Sequence, residues 1–256
     1  MKLAQKGKVS LLKNGNNLLR RFGIFIAFLI IVIILSCITS SFLTGENILN
    51  VIRQISFNGM VAIGMTFVII TGGIDLSVGS VLALGALFTT SMCTQENPGS
   101  LVVAILVGLA VATACGFLNG LMITKGKMAP FIATMAMMTM ARGASLLFCN
   151  GRPIINLTDE FKEIGTGSLL LPIPILVFFL VIIVAYLVLY RSRFGRKVFA
   201  VGGNEAAAKA SGVNIDRVKI SVYMISSFLA GLSGIILAAR MGAGSPIVGE
   251  GYELDA

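Results

Sequence analysis

One carboxylate stands between two long apolar runs, in the stretch GGIDLSVGS. Asp75 is followed there by Ser77, and three glycines, Gly72, Gly73 and Gly79, surround the pair. Glycine lets the backbone reverse direction, and an Asp or Ser side chain just ahead of a helix can bind its free N–H groups. A carboxylate also suits the positive end of a helix. The stretch is therefore predicted to turn or break the chain and to begin a new helix.

A second interpretation gives Asp75 a function. A carboxylate at mid-bilayer depth costs roughly 2.5–3.5 kcal/mol on insertion scales, so it would have to face a translocation path or pair with a basic group. At the membrane edge, capping alone accounts for it, and the residues leave both interpretations open. Other polar side chains lie within the apolar runs and are candidate contacts for a polar substrate: Asn58, Thr66, Asn119, Thr134 and Arg142.

The composition decides the class of protein. Of the 256 residues, 56% are hydrophobic and 12% charged, and the mean hydropathy is +0.95. A soluble domain carries about a quarter charged residues, and several runs here reach the roughly 20 apolar residues of a membrane-spanning helix. The prediction is an all-α polytopic membrane protein with about seven spans. The candidate spans are Phe22–Ile38, Ile48–Thr71, Val78–Met92, Leu101–Thr124, Phe131–Phe148, Pro172–Tyr190 and Ile220–Ala239.

The basic residues set the orientation. With alternating spans, fifteen of the twenty Lys and Arg residues fall on the side of the N-terminus and three on the other, while Arg53 and Arg142 lie inside spans. Because loops rich in Lys and Arg stay in the cytoplasm, the N-terminus is predicted to be cytoplasmic. The same placement explains the net charge of +9 without nucleic acid. The predicted organisation is a basic cytoplasmic arm at 1–21 and a transmembrane domain at 22–256, with a cytoplasmic loop at 191–219.

Two loops carry local signals. The cytoplasmic loop breaks at Gly202 and Gly203, after which Asn204 can cap a short helix that ends at Gly212. A two-turn helix is not stable alone in water, so a partner protein is one candidate for holding it. The outer segment at about 149–171 is polar and is predicted to be an external loop with one short surface helix.

Several classes of chemistry find little support. The sequence has no histidine, which removes imidazole bases and histidine-ligated metals, and polar groups do not cluster as a membrane enzyme would need. No G-x-x-x-x-G-K-[ST] phosphate loop is present, so any ATP must be handled by another subunit. The chain is predicted not to be an enzyme and to bind no metal or cofactor itself.

Four segments in order resemble the ribose-type permease family of bacterial ABC importers: AIGMTFVIITGGIDLSVGSVLAL, PFIATMAMMTMARGASLLFCNG, FGRKVFAVGGNEAAAKASGVN and GYELDA. The resemblance runs from about Phe42 to Ala256. It implies a permease of the bacterial inner membrane that imports ribose or a similar monosaccharide by alternating access. It also implies a second permease copy or paralogue, an extracytoplasmic sugar-binding protein, and a cytoplasmic ATPase subunit that holds ATP and Mg.

The resemblance also gives the short inner helix a role. NEAAAKASG is similar to the EAA-type loop that docks in a cleft of the ATPase, and the matching residues are Asn204, Glu205, Ala206, Ala207 and Gly212. Four residues separate the second alanine from the glycine, where the commonest pattern has three, and the downstream I-x-L-P is missing. An alanine-rich surface helix without a partner is the other interpretation.

Relatives in this family continue beyond YELDA into a glycine-rich segment that resembles a second copy of the GGIDLSVGS region. A repeat of this kind often frames a transport site. Since the sequence ends at Ala256, it is predicted to be truncated, as a fragment, a shortened reading frame or an incomplete record. Two alternatives to the importer stay open, an ion-coupled carrier with Asp75 as its cation or proton site and a non-transporting fragment.

Overall fold

A computed structural model describes residues 22–168 and 170–256 of the chain. The predicted N-terminal arm lies outside the described residues. Within them, nearly all regular structure is helical, apart from a ladder of two short antiparallel strands, β1 (Cys93–Thr94) and β2 (Asn97–Pro98). The helices are α1 (Phe22–Ile38), α2 (Gly45–Ile70), α3 (Val78–Ser91), α4 (Leu101–Thr124), α5 (Pro130–Phe148), α6 (Asp159–Thr166), α7 (Ile173–Tyr186, continued by a π-helical turn at Leu187–Arg191), α8 (Arg193–Gly203), α9 (Glu205–Ala210), α10 (Ile215–Met241) and α11 (Tyr252–Asp255).

The chain divides at Val51 into two compact units. The described part of the first unit contains α1 and the start of α2. Its connecting turn is fixed by Asn47, whose Nδ2 donates to the Phe42 carbonyl over 2.7 Å and whose N–H donates to Thr44 Oγ1 over 3.4 Å. The second unit, from Ile52 onward, contains all of the remaining elements.

Five described helices are long and apolar enough to cross a membrane: α2, α4, α5, α7 with its π-helical turn, and α10. Two shorter apolar helices, α1 and α3, bring the apolar helices of the described residues to the predicted seven. The all-α polytopic class is therefore confirmed.

Helix α3 is the exception to the predicted pattern of full spans. Its 14 residues extend about 21 Å, whereas a bilayer core is about 30 Å thick. All but two of these residues are buried, and the helix packs against α4, α5 and α10. A helix that is apolar on every side belongs in the interior, so α3 is a short helix at the centre of the second unit.

Helices α4 and α10 approach each other closely through small residues. A Cβ added at Gly120 would lie 2.6 Å from the Ile220 Cα, and one at Gly116 would lie 2.7 Å from the Ser227 Cβ. In lipid, small residues promote helix association by allowing this approach, because burial of apolar surface contributes little there.

Helix α10 begins earlier than the apolar run suggests. The predicted span was Ile220–Ala239, but the helix starts at Ile215, where Asn214 Oδ1 accepts a hydrogen bond from the Arg217 N–H over 3.0 Å. The first turn is charged, so hydropathy does not mark it, whereas the cap does.

The outer segment contains the predicted short surface helix, α6, which exposes one face and buries the other at Phe161 and Gly165. Phe161 and Leu157 are fully buried against Ala239 and Ile235 of α10. Gly165 lies directly against the backbone of α10 at Arg240. The buried face of the segment is therefore packed on the end of α10.

Candidate functional site

The chain reverses direction between α2 and α3, at the stretch that holds the carboxylate. Gly72 adopts a φ of 76°, in the left-handed region that glycine tolerates best. A Cβ added at Gly73 would lie 2.5 Å from the Tyr223 hydroxyl. That hydroxyl donates to the Ile74 carbonyl over 3.2 Å, so the loop is fastened to α10 immediately before Asp75.

Asp75 lies at the centre of a fully buried group of polar side chains, the Asp75 cluster, which contains Asp75, Ser77, Asn119 and Ser226. Asp75 Oδ1 accepts from the Ser77 N–H over 3.0 Å and from Ser77 Oγ over 2.6 Å. Asp75 Oδ2 accepts from Ser226 Oγ over 3.1 Å. Asn119 Nδ2 donates to Ser77 Oγ over 2.9 Å. The cluster therefore joins the loop to α4 and α10.

The carboxylate is held by hydrogen bonds alone. Asp75 forms no ion pair among the described residues, whose salt bridges lie elsewhere. Two oxygens of the surrounding helices, Asn119 Oδ1 and Ser227 Oγ, are buried and have no hydrogen-bond partner in the described structure. Buried polar atoms are almost always paired, so these two oxygens are candidate contacts for the hydroxyl groups of a bound molecule.

The capping role predicted for this stretch is only partly correct. Ser77 is the residue that precedes α3, but its side chain makes no capping hydrogen bond because its hydroxyl is engaged by Asp75. Asp75 instead binds the N–H of Ser77 itself, one residue ahead of the helix. The carboxylate thus fixes the loop rather than the first turn of α3.

The other candidate polar residues are divided between this region and more distant places. Thr134 is buried beside the loop, where its hydroxyl donates to the Pro130 carbonyl over 2.8 Å and lies 3.5 Å from the Ile74 carbonyl. Asn58 is half-buried, with an unpaired Oδ1. Thr66 is exposed, and its hydroxyl donates within its own helix. The structure gives Thr66 no place in the cluster.

Arg142 also lies apart from the Asp75 cluster. Its Nη1 donates to the carbonyls of Pro246 and Val248, the latter over 3.1 Å. The segment that it holds folds back onto the start of α3, where Gly249 lies directly against Gly79. The close approach explains why residue 79 has no side chain. Sequence reasoning missed these contacts, since backbone carbonyls carry no sequence signature.

At the predicted inner face, α9 has the length and the cap expected of it. Asn204 Oδ1 accepts from the Ala207 N–H over 2.9 Å, and Gly212 follows the helix with a φ of 81°. Ala206 and Ala207 are exposed. Glu205 Oε2 pairs with Lys219 Nζ of α10 over 2.7 Å, which holds the short helix in place.

One face of α10 links this inner helix to the buried carboxylate. Lys219 pairs with Glu205, Tyr223 binds the Ile74 carbonyl, and Ser226 binds Asp75. These three positions follow the i, i+4, i+7 spacing that places residues on one side of a helix. They extend over about 10 Å of α10. Sequence reasoning named neither Tyr223 nor Ser226, although their spacing from Lys219 was available.

The apolar helices around a buried polar cluster define a multi-pass helical membrane protein. The family model for the permease component of the branched-chain amino acid transport system matches residues 47–256. The chain belongs to this permease family, which confirms its resemblance to the ribose-type permeases of ABC importers. It is accordingly a multi-pass protein of the inner membrane.

Individual relatives cover most of the chain. The ribose import permease protein of Bacillus subtilis (strain 168) is 44% identical over 245 residues, which are 94% of this chain and 75% of the relative. That of Escherichia coli (strain K12) is 40% identical over 237 residues, covering 90% and 73%. The L-arabinose ABC transporter permease protein of Azospirillum brasilense is 33% identical over 238 residues, covering 93% and 70%. No solved structure matches the chain.

Proposed function

We propose that this chain is the membrane-spanning subunit of an ATP-driven importer that moves ribose or a similar monosaccharide inward by alternating access. The relatives named for ribose import support the substrate class. The ATP would be bound and hydrolysed, with Mg, by a separate cytoplasmic subunit. A second permease copy or paralogue and an extracytoplasmic sugar-binding protein complete the proposed assembly.

The observation that carries the proposal is the series of contacts along α10. A movement of α9 at the inner face is transmitted to Lys219 through its ion pair with Glu205. The same helix then binds the loop at Ile74 and the carboxylate at Asp75. Packed helices respond to small shifts by exchanging one set of contacts for another. An ATPase subunit docked on α9 would therefore act on the buried cluster directly.

The chemistry of the Asp75 cluster suits a neutral polyol. A sugar offers many hydroxyl groups, each both donor and acceptor, and it requires no charged partner. Asn119 Oδ1 and Ser227 Oγ are buried acceptors without partners, and Asp75 adds a carboxylate that can accept from a hydroxyl. We propose that the sugar passes this cluster when α10 and the loop separate and their mutual hydrogen bonds become available.

Docking of the ATPase is tested at an exposed position of α9. Ala206 is exposed, so Ala206→Arg should block a cleft that receives α9 without disturbing the fold, while Ala206→Ser keeps the side chain small. Co-expression with the proposed ATPase subunit should give co-purification for the wild type and Ala206→Ser, and its loss for Ala206→Arg. Equal co-purification of all three would contradict docking on α9.

Transport itself is tested in proteoliposomes that contain the permease, the ATPase and the sugar-binding protein. Uptake of labelled ribose should require internal ATP and should be unaffected by an imposed membrane potential. Uptake that follows the potential and needs no ATP would support an ion-coupled carrier instead. Absence of uptake by the full assembly, with binding of the ATPase intact, would support a non-transporting fragment.

A further inference from the structure

An apolar groove of about 470 Å³ runs between α2, α7 and α10 on the outside of the second unit. Its length follows α7 from Val177 to Val188, and Phe67 of α2 and Phe228 of α10 line the other sides. The eleven residue-to-residue steps from Val177 to Val188 extend about 16 Å along the helix, close to the roughly 15 Å thickness of one leaflet's hydrocarbon. The groove therefore has the length and polarity of an acyl chain.

The inner end of the groove lies at the start of α8. Ser192 Oγ donates to the Val188 carbonyl over 2.6 Å and accepts from the Gly195 N–H over 3.0 Å. A Cβ added at Gly195 would lie 2.5 Å from the Val188 oxygen. The first turn of α8 is thus packed against the helix end that closes the groove.

Aromatic rings mark the same level of the protein. The ring of Tyr190 lies 5.8 Å from that of Phe199 and 5.2 Å from that of Tyr186, measured between centroids. All three side chains are exposed. Exposed tyrosine side chains of membrane proteins, such as Tyr186 and Tyr190, concentrate at the boundary between hydrocarbon and headgroups. The inner end of the groove therefore lies at headgroup depth.

Four exposed cations surround this point: Arg191, Arg193, Arg196 and Lys197. None of them forms an ion pair among the described residues, and the sequence has no acidic residue from 187 to 203. By contrast, Lys125 and Lys219, elsewhere on the same predicted face, are paired with acids at 2.6 and 2.7 Å. The charge beside the groove is available to an anion.

We infer that the groove binds an anionic phospholipid of the inner leaflet, with one acyl chain along α7 and its phosphate against Arg191 and Arg193. Basic side chains at the cytoplasmic ends of membrane helices attract anionic headgroups. The groove can hold the acyl chain and the arginines can bind the headgroup, so a single anionic lipid explains both features. A neutral lipid would satisfy only the first.

The sequence contains no tryptophan, which makes a single introduced tryptophan a specific reporter. Val184→Trp places it in the groove about 10 Å from Arg191, and Leu118→Trp places a control at a similar depth on α4, about 9 Å from the end of that helix at Thr124. Both positions are about half exposed. Leu180→Trp reports on the same groove if Val184→Trp fails to yield folded protein.

Each variant is reconstituted in vesicles that contain either brominated phosphatidylglycerol or brominated phosphatidylcholine at equal mole fraction. The brominated phosphatidylglycerol should quench the groove tryptophan several-fold more strongly, while the two lipids should quench the α4 tryptophan equally. Adding Arg191→Gln and Arg193→Gln should remove the preference at the groove. The matched pair Lys209→Gln and Arg217→Gln, also exposed and basic on the predicted inner face, should leave it unchanged.

Three results would overturn the inference. An equal preference at both tryptophans would mean general enrichment of anionic lipid around the protein. A groove tryptophan that neither lipid quenches would mean that protein covers the groove. A preference that survives the arginine changes would mean that Arg191 and Arg193 do not hold the headgroup.

Discussion

Replacing Asp75 by asparagine or by leucine separates two roles of the carboxylate. Asparagine keeps an oxygen at the Oδ1 position, where Ser77 donates twice, and presents an amide to Ser226. The Ser226 hydroxyl can turn and accept from that amide. Leucine has a similar branched shape but offers no acceptor, so the three donors to Asp75, which are the Ser77 N–H and the hydroxyls of Ser77 and Ser226, lose their partner.

The magnitudes follow from the hydrogen bonds. With leucine, leaving the buried Ser77 N–H unpaired costs about 1–3 kcal/mol of the free energy of unfolding. The loss of two hydroxyl hydrogen bonds costs about 1 kcal/mol each, so the total is about 3–5 kcal/mol. With asparagine, the hydrogen bonds are weaker than those of the carboxylate, but this loss is offset because no charge has to be buried. We therefore expect the free energy of unfolding to fall by no more than about 1 kcal/mol. At about 2–4 °C per kcal/mol for a chain of this size, leucine should lower Tm by roughly 6–20 °C and asparagine by no more than about 4 °C.

Thermal unfolding of the detergent-purified variants, followed by loss of the monodisperse peak in size-exclusion chromatography, measures this difference. Thr66→Val is the control, because that hydroxyl is exposed and bonds only within its own helix, and its Tm should be unchanged. If asparagine destabilises the protein as much as leucine, the hydrogen-bond argument is wrong. The protein would then require the charge of Asp75 itself, as a cation site does.

Three further predictions concern the packing and the outer face. Gly79→Ala should push the Gly249 backbone away from α3 and lower the free energy of unfolding by about 1–3 kcal/mol. Amide hydrogen exchange should then accelerate at residues 245–251, and unchanged exchange there would contradict the contact. Gly116→Leu should separate α4 from α10 and abolish folded expression, and normal yield and Tm would refute this packing. Burial raises the pKa of the Cys93 thiol, and only the thiolate form of a cysteine reacts. An impermeant maleimide at neutral pH should therefore label the half-buried Cys149 well before Cys93. Raising the pH should increase Cys93 labelling, and equal rates at neutral pH would exclude a buried Cys93.

Features set by composition or by local spacing could be predicted from the sequence. The apolar runs located the spans, and Asn204 with Gly212 located α9 and its cap, because capping depends on neighbours a few residues apart. The helix α8 was not predicted, although Gly195, Val198 and Val201 are its buried positions at helical spacing. Its many basic residues made the segment look like an ordinary polar loop.

The candidate site was only partly predictable. Asp75, Ser77 and Asn119 were all predicted candidates, but no pattern in the sequence indicated that they touch one another. Ser226 lies 151 positions from Asp75, and its involvement depends on how α10 is rotated against the loop. A weak amphipathic pattern does not fix that rotation in a helix that is buried on several sides.

The distance along the chain between the loop and α10 has a consequence for biosynthesis. The Ile74 carbonyl and the Asp75 carboxylate find their partners 149 and 151 residues later. At about 5–20 residues per second, synthesis of that interval takes roughly 7–30 s. During that time the Ile74 carbonyl and Asp75 Oδ2, just ahead of the short α3, lack their partners on α10, and unpaired polar groups are costly in hydrocarbon. We expect the nascent α2–α3 pair to remain at the membrane surface or in the insertion machinery, and to enter its final position only when α10 arrives.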